Sequence, residues 1–202
     1  FIIGLILSGL VSVLPVSYSL LSAALLLTAW VLLTGGLHID GLADSADAWL
    51  GGIGNKQRTL EIMKDPAAGP IAVVVLALSL LIKLALVEIV ISSGETSALI
   101  WSIILARTAM PLLFLTTNYV RPNGIGAVLK QCLPVKQVKW MLLITTVIAL
   151  FCLGFTPLLL GLIVFLLLRY TMEHRLDGFT GDTAGAMVEL LEISFLLFLI
   201  LF

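Results

Sequence analysis

Residues 71–82 read IAVVVLALSLLI, an apolar run without the alternation of apolar and polar positions that a membrane-spanning strand requires. A transmembrane helix needs about 20 such residues, and apolar runs recur along the whole chain. Hydrophobic residues make up 60% and charged residues 11% of the 202 residues, and the mean hydropathy is +1.19. Soluble domains have about 25% charged residues. We therefore predict an all-α fold, a polytopic membrane helix bundle of about six to seven transmembrane helices.

The apolar segments are predicted at residues 1–15, 17–37, 69–91, 96–115, 137–154, 156–170 and 183–202. The connections after the second, fourth and sixth segments contain Lys and Arg, whereas the other connections contain neither. The positive-inside rule therefore places the basic connections in the cytoplasm. We expect a multi-pass protein of the cell (inner) membrane with its active site facing the cytoplasm. We expect the protein to contact the lipid bilayer and to bind no nucleic acid. The sequence leaves open whether the protein forms a homo-oligomer.

No repeat, low-complexity run or linker divides the sequence, so residues 1–202 are predicted to form one integral membrane domain. The sequence opens at Phe1 inside an apolar segment, and we expect some N-terminal residues to be missing. Two long connections, residues 38–68 and 116–136, provide room for chemistry. Both lie on the predicted cytoplasmic side.

The densest polar stretch, GGLHIDGLADSADAWLGG at residues 35–52, contains three regularly spaced aspartates. Asp40, Asp44 and Asp47 stand at i, i+4 and i+7, which places them on one face of a helix. Their mutual repulsion is relieved when a multivalent cation supplies positive charge, and hard carboxylate ligands suit Mg²⁺, Mn²⁺ or Ca²⁺. The alternative, a solvated helix face, requires no regular spacing and is disfavoured because acids beside membrane helices are costly unless they serve a site. His38 is a weaker candidate for metal ligand or general base.

The next stretch, RTLEIMKDPAAGP at residues 58–70, adds basic residues close to the acidic ones. Arg58 and Lys64 are predicted to bind phosphate oxygens, and Asp65 adds a fourth carboxylate to the predicted metal site. A basic pair in a loop is often only a topology signal. Cations beside metal-binding acids are nevertheless what transfer of a phosphate group requires.

A second acidic cluster lies in GFTGDTAGAMVELLE, residues 178–192. Asp182, Glu189 and Glu192 can share one face of the last helix, and acids within a membrane helix are expected to face the bundle interior. We predict that Asp182 and Glu189 bind substrate. The alternative is that the glutamates neutralise Lys83 or Arg107, the two basic residues deep in apolar segments.

Two more basic residues, Arg107 and Arg121, are candidate substrate ligands. Arg107 is predicted to reach phosphate from the cytoplasmic end of its segment, and Lys83 is predicted to form a structural pair with Glu88. Arg121 lies in NYVRPNGIG, residues 118–126, which is a weakly indicated substrate loop because Gly and Asn also serve plain turns.

Taken together, HIDGLADSADAWLGG, RTLEIMKDPAAG and GDTAGAMVELLE resemble the cobalamin synthase family, the adenosylcobinamide-GDP ribazoletransferases. LARTAMP at residues 105–111 and RPNGIGA at residues 121–127 are similar to that family's intermediate segments, so the resemblance covers nearly the whole sequence. Family members usually begin some tens of residues before the position of Phe1.

The resemblance implies transfer of the adenosylcobinamide phosphate from adenosylcobinamide-GDP to α-ribazole or α-ribazole 5'-phosphate, with release of GMP and a requirement for Mg²⁺. It places the family's motif acids on Asp40, Asp44, Asp47 and Asp65. The family's basic positions fall on Arg58 and Lys64, and its C-terminal acids fall on Asp182 and Glu189.

The predicted roles follow from that resemblance. The predicted metal ligands are Asp40, Asp44, Asp47 and Asp65. Asp65 or Asp47 is predicted to accept the proton of the attacking hydroxyl group, and Lys64 is the third predicted catalytic residue. Two rival functions are a CDP-alcohol phosphatidyltransferase and an ion-coupled transporter. The sequence lacks the Ala-Arg of the CDP-alcohol phosphatidyltransferase signature. An ion-coupled transporter would place its acidic residues at the bilayer midplane, whereas the acidic and basic residues here gather on one side, in long connections.

Overall fold

The computed structural model of the protein describes residues 2–122 and 124–202, which form an all-α bundle, as predicted. The ten α-helices of the described residues are α1 (Ile2–Val11), α2 (Ser19–Leu33), α3 (Leu37–Gly51), α4 (Lys56–Ile62), α5 (Pro70–Ser93), α6 (Ser97–Thr116), α7 (Ile125–Gln131), α8 (Val135–Leu153), α9 (Phe155–Leu176) and α10 (Gly181–Leu201). A short 3-10 helix, Val16–Tyr18, precedes α2.

Six helices of the described residues are long and apolar enough to cross a membrane, which confirms the polytopic prediction. They are Val16–Leu33, α5, α6, α8, α9 and α10. The seventh predicted span, residues 1–15, stays a prediction. Its helix within the described residues, α1, has 10 residues, about 15 Å at 1.5 Å per residue. It packs beside α6, where Gly4 approaches Ile100.

Helices α2 and α3 together run antiparallel to the long helix α5. Gly35 and Gly36, both with positive φ (63° and 69°), separate the two shorter helices. Trp30 of α2 packs against Lys83 in the middle of α5, and Asp47 of α3 binds the backbone at the start of α5. The acidic motif therefore lies on a helix that is packed against the bundle, rather than in an open connection.

Helix α3 crosses the first turns of α10 at very close range. A Cβ on Gly41 would lie 2.6 Å from the carbonyl oxygen of Asp182. One turn farther along α10, a Cβ on Gly185 would lie 3.5 Å from the Cα of His38. Small residues allow membrane helices to approach at backbone distance, and this approach brings the two acidic motifs to the same place.

The polar end of the bundle is the end at which α6 and α9 terminate and α10 begins. Backbone hydrogen bonds join the segments that follow α6 and α9: Val120 N donates to Phe179 O at 2.9 Å, and Phe179 N donates to Asn118 O at 2.8 Å. Arg175 donates to the carbonyl oxygen of Trp49 at 2.6 Å, which ties α9 to α3.

The close crossing predicts different effects of alanine at two helical glycines. Gly41→Ala forces a Cβ against the Asp182 carbonyl group, and overpacking of this kind costs about 1–3 kcal/mol. We expect a lower thermal unfolding midpoint for the detergent-purified variant.

The matched control is Gly9→Ala in α1, where nothing lies within 4 Å of the new Cβ. This change is expected to leave the midpoint unchanged or to raise it, because alanine favours helix by up to about 1 kcal/mol. Equal midpoints for the two variants would contradict the close crossing.

Candidate active site at the polar end

The structure brings Asp40 and Asp44 of α3 together with Asp182, which begins α10. Burial, followed by the charges of Asp40 and Asp182, raises the pKa of Asp44 from 3.8 to about 6. Asp40 is exposed, whereas Asp44 and Asp182 are half-buried. We call these three residues the acid centre. Burial and the proximity of the other two carboxylates both disfavour the charged form of Asp44.

The start of α10 is fixed by a capping box that holds Asp182 in place. Thr180 accepts a hydrogen bond from the backbone N–H of Thr183 at 3.2 Å, and the Thr183 hydroxyl group accepts one from Thr180 N at 2.9 Å. Reciprocal bonds of this kind satisfy free amide groups in the first turn of a helix. Asp182 therefore projects from a well-defined helix start toward α3.

Arg121 reaches the acid centre from the segment after α6. Its Nη1 lies 2.7 Å from Oδ2 of Asp182. The backbone pairing of residues 118–120 with Phe179 fixes the segment. At Gly178 (φ 153°) a Cβ would lie 2.2 Å from the Asn118 carbonyl oxygen, so a side chain there would break the pairing. The structure thus joins Arg121 and Asp182, two residues predicted separately to bind substrate.

Asp47, predicted as a metal ligand and catalytic residue, caps α5. Its Oδ2 accepts a hydrogen bond from Gly69 N at 2.5 Å, and its Oδ1 accepts one from Ala72 N at 2.9 Å. A carboxylate at a helix N-terminus satisfies free amide groups and interacts favourably with the helix dipole. This geometry favours a structural role in fastening α3 to α5, and its predicted catalytic role stays a prediction.

Arg58, Lys64 and Asp65 lie on the exposed stretch from α4 to α5. Arg58 lies 3.7 Å from Glu61 in the same helix. Asp65 accepts a hydrogen bond from Ala67 N at 3.0 Å, which forms a local turn. Lys64 lines a cavity of about 350 Å³ together with Arg121. Of these three residues, the structure therefore links Lys64 most directly to the acid centre.

The predicted substrate ligand Glu189 is buried in an ion network inside the bundle. Lys83 Nζ lies 2.7 Å from Glu189 and also pairs with Glu192, which pairs in turn with Arg107. The alternative predicted for these glutamates, neutralisation of Lys83 or Arg107, is confirmed. The predicted pair of Lys83 with Glu88 is wrong.

Glu88 instead accepts a hydrogen bond from Ser19 at 2.7 Å. The substrate contacts predicted for Glu189 and Arg107 stay predictions, although one nitrogen of Arg107, Nη2, is buried without a hydrogen-bond partner among the described residues.

His38 lies between the acid centre and the ion network. Burial, with a further contribution from Arg107, lowers its pKa from 6.5 to about 4, so its imidazole is neutral at pH 7. Its Nδ1 is buried and makes no hydrogen bond to the described residues. A neutral imidazole adds no positive charge to the acid centre, where Arg121 pairs with Asp182.

Among the described residues no group of three or more His, Cys, Asp or Glu side chains forms a ready-made metal cage. Mg²⁺ does not need one, because it commonly keeps several waters and binds one or two carboxylates together with substrate phosphates. The acid centre provides hard oxygen donors, and burial together with the neighbouring carboxylates of Asp40 and Asp182 raises the pKa of Asp44. The donor set therefore fits a magnesium ion that is completed by a phosphorylated substrate.

An apolar cavity of about 550 Å³ opens beside the acid centre, between α3, α5, α9 and α10. Ser45 and Trp49 of α3 and Thr183 of α10 contribute to its wall. The Ser45 hydroxyl group is buried and makes no hydrogen bond to the described residues. The sequence analysis did not identify Ser45 or Trp49. Their position beside Asp44 in the acidic motif was the available signal.

The sequence matches a profile of the cobalamin-5-phosphate synthase family over residues 1–200. A Pseudomonas putida (strain GB-1) protein named adenosylcobinamide-GDP ribazoletransferase is 55% identical over 179 residues, which cover 88% of this chain and 73% of that protein. A Pseudomonas aeruginosa protein of the same name is 48% identical over 202 residues, which cover 99% of this chain and 82% of that protein. No solved structure matches the chain.

The capping geometry predicts that Asp47→Asn lowers stability. Asparagine keeps one carbonyl oxygen but loses the charge and the second acceptor, and loss of a cap costs about 0.5–2 kcal/mol. We expect a lower unfolding midpoint in detergent. An unchanged midpoint together with lost catalytic activity would instead support the predicted role as general base.

The raised pKa of Asp44 predicts how stability depends on pH without divalent cations. The folded protein keeps the Asp44 proton up to about pH 6, whereas the ordinary pKa is 3.8. The folded state therefore binds more protons between these values, and this contribution to stability falls as pH rises.

The check is to measure unfolding midpoints of the wild type and Asp44→Asn across pH 4–8 in EDTA. The variant should match the wild type at the acidic end and exceed it above pH 6, since asparagine resembles the protonated acid. Added Mg²⁺ should raise the midpoint of the wild type more than that of the variant. Parallel pH profiles would contradict the assignment.

Proposed function

Because the chain belongs to the cobalamin-5-phosphate synthase family, we propose that it is an adenosylcobinamide-GDP ribazoletransferase of cobalamin biosynthesis. It transfers the adenosylcobinamide phosphate from adenosylcobinamide-GDP to α-ribazole or α-ribazole 5'-phosphate and releases GMP. The family match over residues 1–200 carries this proposal. It supports neither a CDP-alcohol phosphatidyltransferase nor an ion-coupled transporter.

Asp40 and Asp44 on α3 would hold Mg²⁺, with Asp182 facing them from α10, and the ion would serve to bind the pyrophosphate of the donor. The bound ion supplies Lewis-acid stabilisation of the charge on the phosphate oxygens. The proximity of Asp40 and Asp182 to Asp44, which adds to the effect of burial in raising the pKa of Asp44, supports this assignment.

The reaction replaces the phosphoanhydride bond to GMP with a phosphoester bond to the ribazole. The attacking ribazole hydroxyl oxygen forms a bond to the phosphorus next to the cobinamide, and the bond from that phosphorus to the GMP oxygen breaks. Asp65 remains the proposed acceptor of the hydroxyl proton because it is exposed and has free lone pairs. Lys64 and Arg121 neutralise charge on the departing nucleotide, which is the role that positioned cations have in phosphoryl transfer.

The membrane location suits a large corrinoid with apolar surface. The cavity of about 550 Å³ between α3, α5, α9 and α10 lies beside the acid centre and is lined mainly by apolar side chains. We assign it to an apolar part of the corrinoid, since small-molecule sites combine an apolar wall with a few polar groups. The basic connections at the polar end support an inner-membrane topology with this end in the cytoplasm.

The test is turnover by detergent-purified protein with adenosylcobinamide-GDP, α-ribazole and Mg²⁺, followed by chromatography of cobalamin and GMP. We expect equal amounts of the two products, loss of both in EDTA and recovery on adding Mg²⁺. Asp40→Asn and Asp44→Asn should lower kcat by about 100-fold or more, because changes even around metal ligands cost 10–100-fold.

The control is Asp177→Asn at the same end of the bundle. Asp177 is exposed, pairs with Lys56 at 2.6 Å and has φ 56°, a conformation that asparagine tolerates. This variant should retain wild-type turnover. Absence of product from folded wild-type protein would overturn the proposed reaction, and full activity in EDTA would overturn the metal assignment.

A further inference from the structure

A second cavity at the polar end is distinct from the apolar one and has a different chemistry. It measures about 350 Å³ and lies between α4 and the segment that leads into α7. Small-molecule sites begin at about 300 Å³. The lining residues are Gln57, Leu60, Glu61, Lys64, Val120, Arg121, Pro122 and Gly124.

One part of this wall is built for an anion. Lys64 is exposed, and Arg121 connects the cavity to the acid centre through its ion pair with Asp182. Two other nitrogens of Arg121, Nε and Nη2, are buried and have no hydrogen-bond partner among the described residues. Guanidinium groups bind phosphate through paired N–H donors. The free donors therefore suit a phosphate that extends from the acid centre into the cavity.

The wall of this cavity also contains a carboxylate, which would repel a ligand that consisted of phosphate groups alone. Glu61 of α4 accepts a hydrogen bond from Gln57 at 3.2 Å and is about half-exposed. Among the described residues, its other oxygen is paired with the Arg58 guanidinium alone, at 3.7 Å. Leu60 and Val120 add apolar surface between the charged groups. A ligand that matches this wall has phosphate, a flat apolar face and N–H donors directed at a carboxylate.

Guanine nucleotides have that combination. The guanine edge presents N1–H and the N2 amino group side by side, and a carboxylate can accept from both donors at once. Adenine presents an acceptor at the corresponding ring nitrogen and so would oppose the carboxylate. A cavity wall that combines anion-binding groups with a carboxylate therefore favours guanine nucleotides over adenine nucleotides.

We propose that this cavity binds the guanosine monophosphate part of the donor, with Glu61 as the residue that selects guanine. Lys64 and Arg121 contact the phosphates, and Arg121 links the nucleotide to the acid centre. The inference rests on the proposed function for the identity of the donor. It adds the location of the nucleotide and the residue that determines base specificity.

The direct test is binding of GMP, IMP and AMP to detergent-purified full-length protein in Mg²⁺, measured by displacement of a fluorescent GDP derivative. IMP keeps N1–H but lacks the N2 amino group. The wild type should bind GMP most tightly, IMP less tightly and AMP on the order of 100-fold more weakly than GMP, since sites that hydrogen-bond a group strongly reject analogues that lack it.

Two variants separate base recognition from phosphate binding. Glu61→Gln should weaken the binding of GMP by on the order of 10-fold or more and remove most of the preference for GMP over IMP. The affinity for AMP should change little. Lys64→Met should weaken the binding of all three nucleotides by a similar factor. Glu95→Gln, an exposed change in the connection between α5 and α6, is the control and should bind as the wild type does.

The outcomes distinguish this inference from the proposed function. Equal affinity of the wild type for GMP and AMP, or unchanged GMP preference in a folded Glu61→Gln variant, overturns the nucleotide site even if turnover is normal. Selective GMP binding that depends on Glu61, without turnover of adenosylcobinamide-GDP, supports the nucleotide site and overturns the proposed reaction. Unfolding midpoints exclude misfolding as the cause of lost binding.

Discussion

The backbone contact between α3 and α10 is the constraint on which the rest of the site depends. Glycine at positions 41 and 185 lets the two helices approach until a Cβ would touch the opposite backbone. Only at that separation do Asp40 and Asp44 share electrostatic surroundings with Asp182. Arg121 provides one positive charge beside these carboxylates through its ion pair with Asp182, and a divalent ion is the proposed second.

A charged network inside the bundle also stabilises this arrangement of helices. Lys83 of α5 and Arg107 of α6 pair with Glu189 and Glu192 of α10, so two positive and two negative groups offset one another. Loss of one member would leave an unpaired charge away from water, which is strongly destabilising. The network therefore holds α5, α6 and α10 in one register. Lys83 also lies over the ring of Trp30, 4.2 Å from its centroid, and so includes α2 in the same cluster.

Much of the fold follows from local sequence properties, whereas the use of particular side chains depends on distant contacts. Apolar runs and their lengths predict the six helices of the described residues that are long and apolar enough to cross a membrane. Spacing places Asp40, Asp44 and Asp47 on one face. It cannot predict that Asp47 meets the start of α5, since this depends on two contacts, with residues 22 and 25 positions away.

Nonlocal pairing also limited the predictions for the basic residues. Lys83 has Glu88 nearby in sequence, yet its partners lie more than 100 residues away on α10. The resemblance assigned Asp182 to the substrate, and packing adds its position opposite Asp44 and its contact with Arg121. Neither cavity is visible in a sequence, because each is lined by residues from separate elements.

The most direct test of the central claim is whether a divalent ion at the acid centre contacts the donor pyrophosphate. Electron–nuclear double resonance of Mn²⁺ bound to the detergent-purified protein with adenosylcobinamide-GDP would measure its coupling to ³¹P. The account predicts resolved phosphorus coupling that disappears in the Asp44→Asn variant. Active protein whose bound Mn²⁺ has no phosphorus coupling, or the same coupling in Asp44→Asn, would contradict it.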